Sequence, residues 1–259
     1  MKFHLKCISY IFLPVIIAVS LIAVIKIVKN IPDKRHPVAN FVSIYLDRYI
    51  YCTDDDEDYS CGMIPQELKD IPFATFSSSG LMFNRVEGVT YILTAAHFCI
   101  QENSDYAIVS AEDLTNEIYV RTDNSLRYDA EVIHYDTDTD ICLMSSDIPI
   151  DRSISLSKKM PLEGSKIYYV GAPIGVHIPN ASARFEGIYS GCNGERCVYT
   201  IPSAHGSSGS LIINRRGDIV GMVLASVIDF NYITLGVGVR ELREFLEMCS
   251  TYLNIELMP

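Results

Sequence analysis

Three short motifs in this sequence carry residue types that act together. Thr94-Ala95-Ala96-His97-Phe98-Cys99 puts a histidine at the end of an apolar run. Asp138-Thr139-Asp140-Ile141-Cys142-Leu143 puts acids at the entry to another, and Gly206-Ser207-Ser208-Gly209-Ser210 puts serine in a glycine-rich turn before a third. In chain order they supply an imidazole, a carboxylate and a hydroxyl. Acyl transfer to a serine needs those groups: a hydroxyl that gives up its proton, an imidazole that takes it, and a carboxylate that fixes the imidazole tautomer and stabilises its cation. Gly206 has a separate use. It lets the backbone turn so that its own N–H and that of Ser208 converge on a developing oxyanion, each donor being worth about 3–4 kcal/mol. Each motif alone is a common loop pattern. Their joint occurrence, in this order and each at a strand edge, carries the inference.

Strands must position these groups. After residue 70 the chain alternates short apolar runs with Gly, Pro, Asn and Asp. Strands are expected at 73–76, 81–84, 89–95, 106–110, 117–121, 130–135 and 140–146, and again at 166–171, 183–191, 196–201, 210–214, 218–226 and 232–239. A spacing of about 8–12 residues points to an all-β sandwich or a pair of barrels rather than a βαβ sheet. The polar, Pro-containing stretch 147–165 divides the two sets. Leu242, Phe245, Leu246 and Cys249 form a helical stripe within 240–252.

Composition excludes several function classes. Of 259 residues, 49% are apolar and 20% charged, which is ordinary for a globular protein and excludes a wholly disordered chain. Residues 1–36 hold six bases against Asp33, so the remainder carries a net −16 of the total −11. Such an acidic body is repelled by phosphate backbones, and no nucleic-acid partner is expected. No G-x-G-x-x-G before a helix and no Walker-type lysine loop occurs, so no nucleotide or other cofactor is expected. The acids Asp54–Asp58 lack calcium-loop spacing, and neither short-spaced cysteine pair has a second Cys/His pair at zinc-ligand spacing. No metal is expected.

Cys7–Ile25 is an uncharged apolar run of nineteen residues. As a helix it spans about 28 Å, close to a hydrocarbon core of roughly 30 Å. The expectation is an N-terminal transmembrane helix within 1–36, with a cleaved signal segment and secretion as the alternative. Flanking bases occur on both sides and do not decide the orientation. Cys52 and Cys61 bracket an acidic loop, and Cys192 and Cys197 bracket Asn-Gly-Glu-Arg. Disulfides at these short spacings suit an oxidising compartment, with the body on the extracytoplasmic side. Cys99, Cys142 and Cys249 lie in apolar surroundings and are expected to be buried thiols.

The sequence resembles a chymotrypsin-like (trypsin-like) serine protease, and within that superfamily it is most similar to the HtrA/Deg type. TAAHF at 94–98 matches the family's histidine motif, and Tyr128–Met144 resembles the stretch leading into its catalytic aspartate, which selects Asp140 over Asp136 and Asp138. Val170–Gly175 resembles the turn opening the second barrel, while Phe185–Ser190 and Ile219–Met222 match strands on either side of the serine. The resemblance covers roughly 72–250. It implies two six-stranded antiparallel β-barrels, at about 72–147 and 165–239, followed by the helix at 240–252. Residues 37–71 are then a linker with an acidic Cys-bracketed loop. It also implies a serine endopeptidase with His97 as base, Asp140 as orienter, Ser208 as nucleophile and an oxyanion hole of Gly206 and Ser208.

Some positions depart from the family pattern. Ser207 and Ser210 replace an Asn or Asp and a Gly, although Ser210 occurs in the glutamyl endopeptidase branch. The cysteine that pairs beside the histidine is missing from SSSGLMF, so Cys99 is expected without a disulfide. No PDZ domain is expected after residue 250, nor the peptide-regulated assembly that goes with one. By resemblance, Pro202 underlies the primary specificity pocket, the strand Leu224-Ala225-Ser226 forms its wall, and His205 stands at its rim or on the surface. Val223 replaces the histidine that binds glutamate. Cleavage after small or medium uncharged residues follows, because a charge in that slot would be unpaired. His134 and His177 are expected to be structural or exposed. The partners are a protein or peptide substrate and, through the N-terminal helix, a membrane; the oligomeric state is left open. The reading from another class is a catalytically silent, membrane-tethered binding module that keeps the fold.

Overall fold

The computed structural model describes residues 38–50, 71–100, 114–150, 152–194, 196–227 and 229–258. Alternating apolar residues build the first part into antiparallel strands β1 (Phe41–Ile50), β2 (Ala74–Val86), β3 (Val89–Ala95), β4 (Leu114–Thr122), β5 (Arg127–Asp129), β6 (Glu131–Asp136) and β7 (Ile141–Ser146). They lie in the order β5-β4-β1-β2-β3-β7-β6, an open seven-stranded sheet and not the closed six-stranded barrel expected. At the β2–β3 hairpin, Glu87 (φ 51°) and Gly88 (φ 89°) both adopt the positive φ that a tight two-residue turn requires.

Two further expectations are corrected in this sheet. Residues 41–50, read as linker, form β1, which pairs with both β2 and β4. The runs 73–76 and 81–84, read as separate strands, belong to the single strand β2. β1 carries two buried charged side chains, each with partners. Asp47 accepts from Thr75 Oγ1 at 2.7 Å. Arg48 donates to Asn116 Oδ1 at 2.9 Å and stacks on Phe76.

The second part forms β8 (Lys166–Gly171), β9 (Ala183–Asn193), β10 (Arg196–Thr200), β11 (Leu211–Ile213), β12 (Ile219–Val227) and β13 (Phe230–Gly238). These close into a barrel in the order β10-β13-β12-β11-β8-β9, as expected. Ile167, Tyr169, Tyr199, Ile201, Ile212 and Val220 fill it. A separate apolar cluster joins the two parts: Leu81, Phe83, Leu93 and Leu143 of the sheet meet Tyr168, Leu211 and Met222 of the barrel. Helix α1 (Ala96–Cys99) is a single turn after β3, and α2 (Val239–Leu253) follows β13. In α2 the stripe Leu242, Phe245, Leu246 and Cys249 is buried against that joining cluster, each large apolar side chain contributing about 1.5–3 kcal/mol. The α2 start is capped by Glu241, whose Oε2 accepts from Gly238 N at 3.1 Å.

Among the described residues two disulfides are present, Cys99–Cys142 and Cys192–Cys197. The second was expected. The first corrects the reading of Cys99 and Cys142 as free thiols: the β3–β7 register sets Thr94 opposite Cys142, so the turn after β3 brings Cys99 onto β7. Cys249 is a buried free thiol, its pKa raised to about 11 by burial. The proposed Cys52–Cys61 link, the strand at 106–110 and the N-terminal apolar run lie outside the described residues. Among those described, no helix is long and apolar enough to cross a membrane.

Candidate active site

β3 delivers His97 and β7 delivers Asp140. The chain leaves β3 at Ala95 and turns at once into α1, so His97 stands just past the sheet edge. Asp140 precedes β7 in the left-handed region (φ 61°), which folds its carboxylate back toward α1. Its Oδ1 accepts from the His97 backbone N–H at 2.8 Å, and its Oδ2 lies 2.8 Å from His97 Nδ1. A further bond runs from Ala96 N to Asp140 O at 3.1 Å. Both carboxylate oxygens are thus committed to one histidine. A carboxylate only accepts, so in the neutral ring the proton sits on Nδ1 and Nε2 is the basic nitrogen. The Cys99–Cys142 disulfide lies two residues beyond each of these side chains.

The serine loop is gripped from below by β2. Gly206 (φ 83°) and Gly209 (φ 81°) bend it. Gly206 O accepts from Ser79 Oγ at 2.7 Å, and Ser208 O accepts from Ser79 N at 2.9 Å and Ser78 Oγ at 2.8 Å. Thr94 Oγ1, three residues before His97, donates to Ser79 O at 2.9 Å and ties β3 to the same point. A Cβ on Gly209 would stand 2.2 Å from Ser79 O, 2.3 Å from Thr94 Oγ1 and 3.0 Å from Ala95 N. Only glycine allows the serine loop to approach the histidine-bearing edge this closely.

With both carbonyls turned onto β2, the N–H groups of Gly206 and Ser208 have no acceptor among the described residues. The preceding peptide is fixed by Ile174, itself left-handed (φ 57°), whose N–H donates to His205 O at 2.5 Å. Because a trans peptide opposes its C=O and N–H, this bond aims Gly206 N–H away from the Pro173–Gly175 turn. Ser208 is partly exposed, and its hydroxyl donates to Leu224 O at 2.9 Å. Ser207 is fully buried, its Oγ accepting from Ala204 N at 3.3 Å. A buried Ser207 cannot meet a substrate; Ser208 can.

The residues expected to line a pocket divide. Leu224 is buried and Ser226 half-buried, while Ala225 and His205 are exposed. Pairing between β11 and β12 ends at Leu211↔Met222. Val223 is then bonded to the serine loop, its O accepting from Gly209 N at 2.8 Å and its N donating to Ser210 O at 2.9 Å. Only from Ala225 is the edge of β12 opposite β13 unpaired among the described residues. Pro202 is half-buried and its carbonyl accepts from Tyr169 OH at 2.5 Å. Beneath it, Thr234 Oγ1 donates to Ile201 O at 2.6 Å and contacts Ser203 Oγ at 2.7 Å. No charged side chain is among these groups. His134 stacks on Phe245, and His177 bridges Ser43 and Ser125, both structural as expected. Ser78, Ser79, Thr94 and Ile174 were not found from the sequence; SSSG at 77–80 carries no spacing that links it to a loop about 130 residues away. Among the described residues no group of His, Cys, Asp or Glu could hold a metal.

The profile of the trypsin-like peptidase domain matches residues 78–222, more than half of the chain. A search of the curated proteins finds no match. Among solved structures the fold is similar to two forms of Rv3671c from M. tuberculosis. The active form of that protease aligns at 16% identity and a TM-score of 0.55, covering 81% of this chain and 80% of the other. The inactive form, a serine-to-alanine mutant, aligns at 12% identity and a TM-score of 0.55, covering 81% and 86%.

Proposed function

The chain belongs to the trypsin-like peptidase domain family, and on that footing we propose that it is a serine endopeptidase acting through His97, Asp140 and Ser208. One observation carries the reading: the carboxylate of Asp140 holds both the backbone and the Nδ1 of His97, beside a serine loop that Gly209 presses against the same strand end.

In this reading the Ser208 hydroxyl rotates from Leu224 O toward His97 Nε2 and attacks the scissile carbonyl as the imidazole takes its proton. The tetrahedral oxyanion is held by Gly206 N–H and Ser208 N–H. His97 then gives its proton to the leaving amine, and the acyl group stays on Ser208. Water, deprotonated by His97, attacks that ester, and the imidazolium returns the proton to Ser208 Oγ as the acid leaves. Asp140 stays ionised and stabilises the imidazolium.

The substrate's acyl side adds as an antiparallel strand to the free edge of β12 at Ala225–Ser226. The uncharged surroundings of Pro202, Ser203 and Thr234 support cleavage after small or medium uncharged residues, since Lys, Arg or Glu there would lack a counter-ion. The two disulfides support an oxidising, extracytoplasmic compartment, and the apolar run 7–25 supports attachment to a membrane. Profiling a peptide library with the full chain in nonionic detergent tests the reading. Hydrolysis after uncharged residues, absent in Ser208→Ala, is expected; equal hydrolysis by Ser208→Ala refutes it.

A further inference from the structure

A basic cavity lies away from the serine loop, between the crossing segment that leads into β8 and the β11–β12 turn at 214–218. It encloses about 540 Å³. Lys159 and Lys166 line one side, and Arg215 and Arg216 line the other. Among the described residues no acid lines it. Within a body of net −16, four converging cations are a local reversal of sign.

Two of the four are already neutralised. Lys166 pairs with Glu186, and Arg216 Nε lies 3.0 Å from Asp218 Oδ2. Lys159 and Arg215 have no side-chain acceptor among the described residues. The two backbones that carry them are braced. Asn214 Oδ1 accepts from Arg216 N at 2.8 Å and Asp218 N at 3.1 Å, which fixes the turn bearing Arg215. Ser157 Oγ donates to Lys159 O at 2.8 Å, and Arg243 from α2 donates to Ser157 O at 2.6 Å. The braced segments keep both side chains at the rim of one cavity, so an anion bound there relieves the repulsion among its cations.

We propose that this cavity is an anion site for a phosphate-bearing ligand. A doubly charged group answers both free cations, whereas a single carboxylate leaves one uncompensated. Arg215 offers a planar fork for two oxygens and Lys159 a point charge for a third. The apolar floor of Met160, Pro161 and Val220 leaves room for an organic substituent behind the phosphate. A soluble phosphate monoester and a lipid phosphomonoester headgroup present the same chemistry. The site does not depend on the hydrolase reading.

Calorimetric titration of the detergent-solubilised full chain, at fixed ionic strength set with chloride, tests it with three probes: pyrophosphate, glycerol phosphate, and short-chain phosphatidate against phosphatidylcholine in the micelle. Saturable 1:1 binding of a soluble probe, weakened at least about tenfold in Lys159→Ala/Arg215→Ala, is expected for loss of charge-assisted hydrogen bonds. Binding of phosphatidate alone, with the same loss, upholds the site and identifies a lipid headgroup as the source. Both side chains are exposed, so the variant should keep its melting temperature without ligand. No saturable binding by any probe, or equal binding by the folded variant, overturns the proposal.

Discussion

Cys99 and Cys142, each two residues beyond a member of the His97–Asp140 pair, are joined by a disulfide across β3 and β7. The link closes a loop of 43 residues, whereas Cys192–Cys197 closes one of 5. Chain entropy makes the longer closure the more stabilising, at about 4 against about 2 kcal/mol. Replacing Cys99 and Cys142 by Ala should therefore cost more in a denaturant titration than replacing Cys192 and Cys197. It should also lower kcat, because the strand ends carrying His97 and Asp140 lose their covalent tie.

Asp140→Asn separates chemistry from folding. Asn tolerates the left-handed φ of 61° at this position, so the melting temperature should hold. The amide offers His97 Nδ1 a donor or a single acceptor in place of a carboxylate, and the imidazole loses its tautomer and its counter-charge. A fall in kcat of about 10³–10⁴ is expected in peptide hydrolysis, the usual scale for this change in a triad.

Gly209 and Gly88 form a controlled pair. Both have positive φ, at 81° and 89°, so Ala at either carries backbone strain of about 1–2 kcal/mol. A Cβ at 88 meets nothing within 4 Å, while one at 209 collides with Ser79 O and Thr94 Oγ1. Gly88→Ala should leave hydrolysis intact. Gly209→Ala should abolish it, because the serine loop must lift from the end of β3; activity near wild type in Gly209→Ala would disprove the close approach.

What the sequence made legible follows from how local each signal is. β8 lies at 166–171 as read from KIYYVG, because a short apolar run between turn residues is its own evidence. β1 was missed because Asp47 and Arg48 interrupt its apolar pattern, and their partners Thr75 and Asn116 lie 28 and 68 residues away. The Cys99–Cys142 pairing was missed for the same reason: it rests on the β3–β7 register, which no local spacing encodes. The motifs of His97, Asp140 and Ser208 were legible because each is short and local, whereas the serines of β2 that hold the Ser208 loop act only through long-range contact.

His177 gives the fold a pH dependence. Its ring bridges Ser43 Oγ at 2.9 Å and Ser125 Oγ at 2.8 Å. Burial, and then the Arg121 charge, hold its pKa below the usual 6.5. The unfolded chain therefore binds the proton more readily than the folded one, and stability rises with pH through that window. The contribution is complete above about 6.5 and is lost as pH falls through the lower folded value. Between neutral and mildly acid pH, the melting temperature of the wild type should fall more than that of His177→Gln.

The central claim is that Ser208, whose hydroxyl rests on Leu224 O, is the nucleophile activated by His97. Labelling of the full chain with a fluorophosphonate, followed by peptide mapping of the modified residue, tests it most directly, since the reagent modifies only an activated serine. The account predicts one adduct on Ser208, absent in Ser208→Ala and in His97→Ala while both variants stay folded. An adduct on Ser207, or a folded wild-type protein that takes no label, would contradict it.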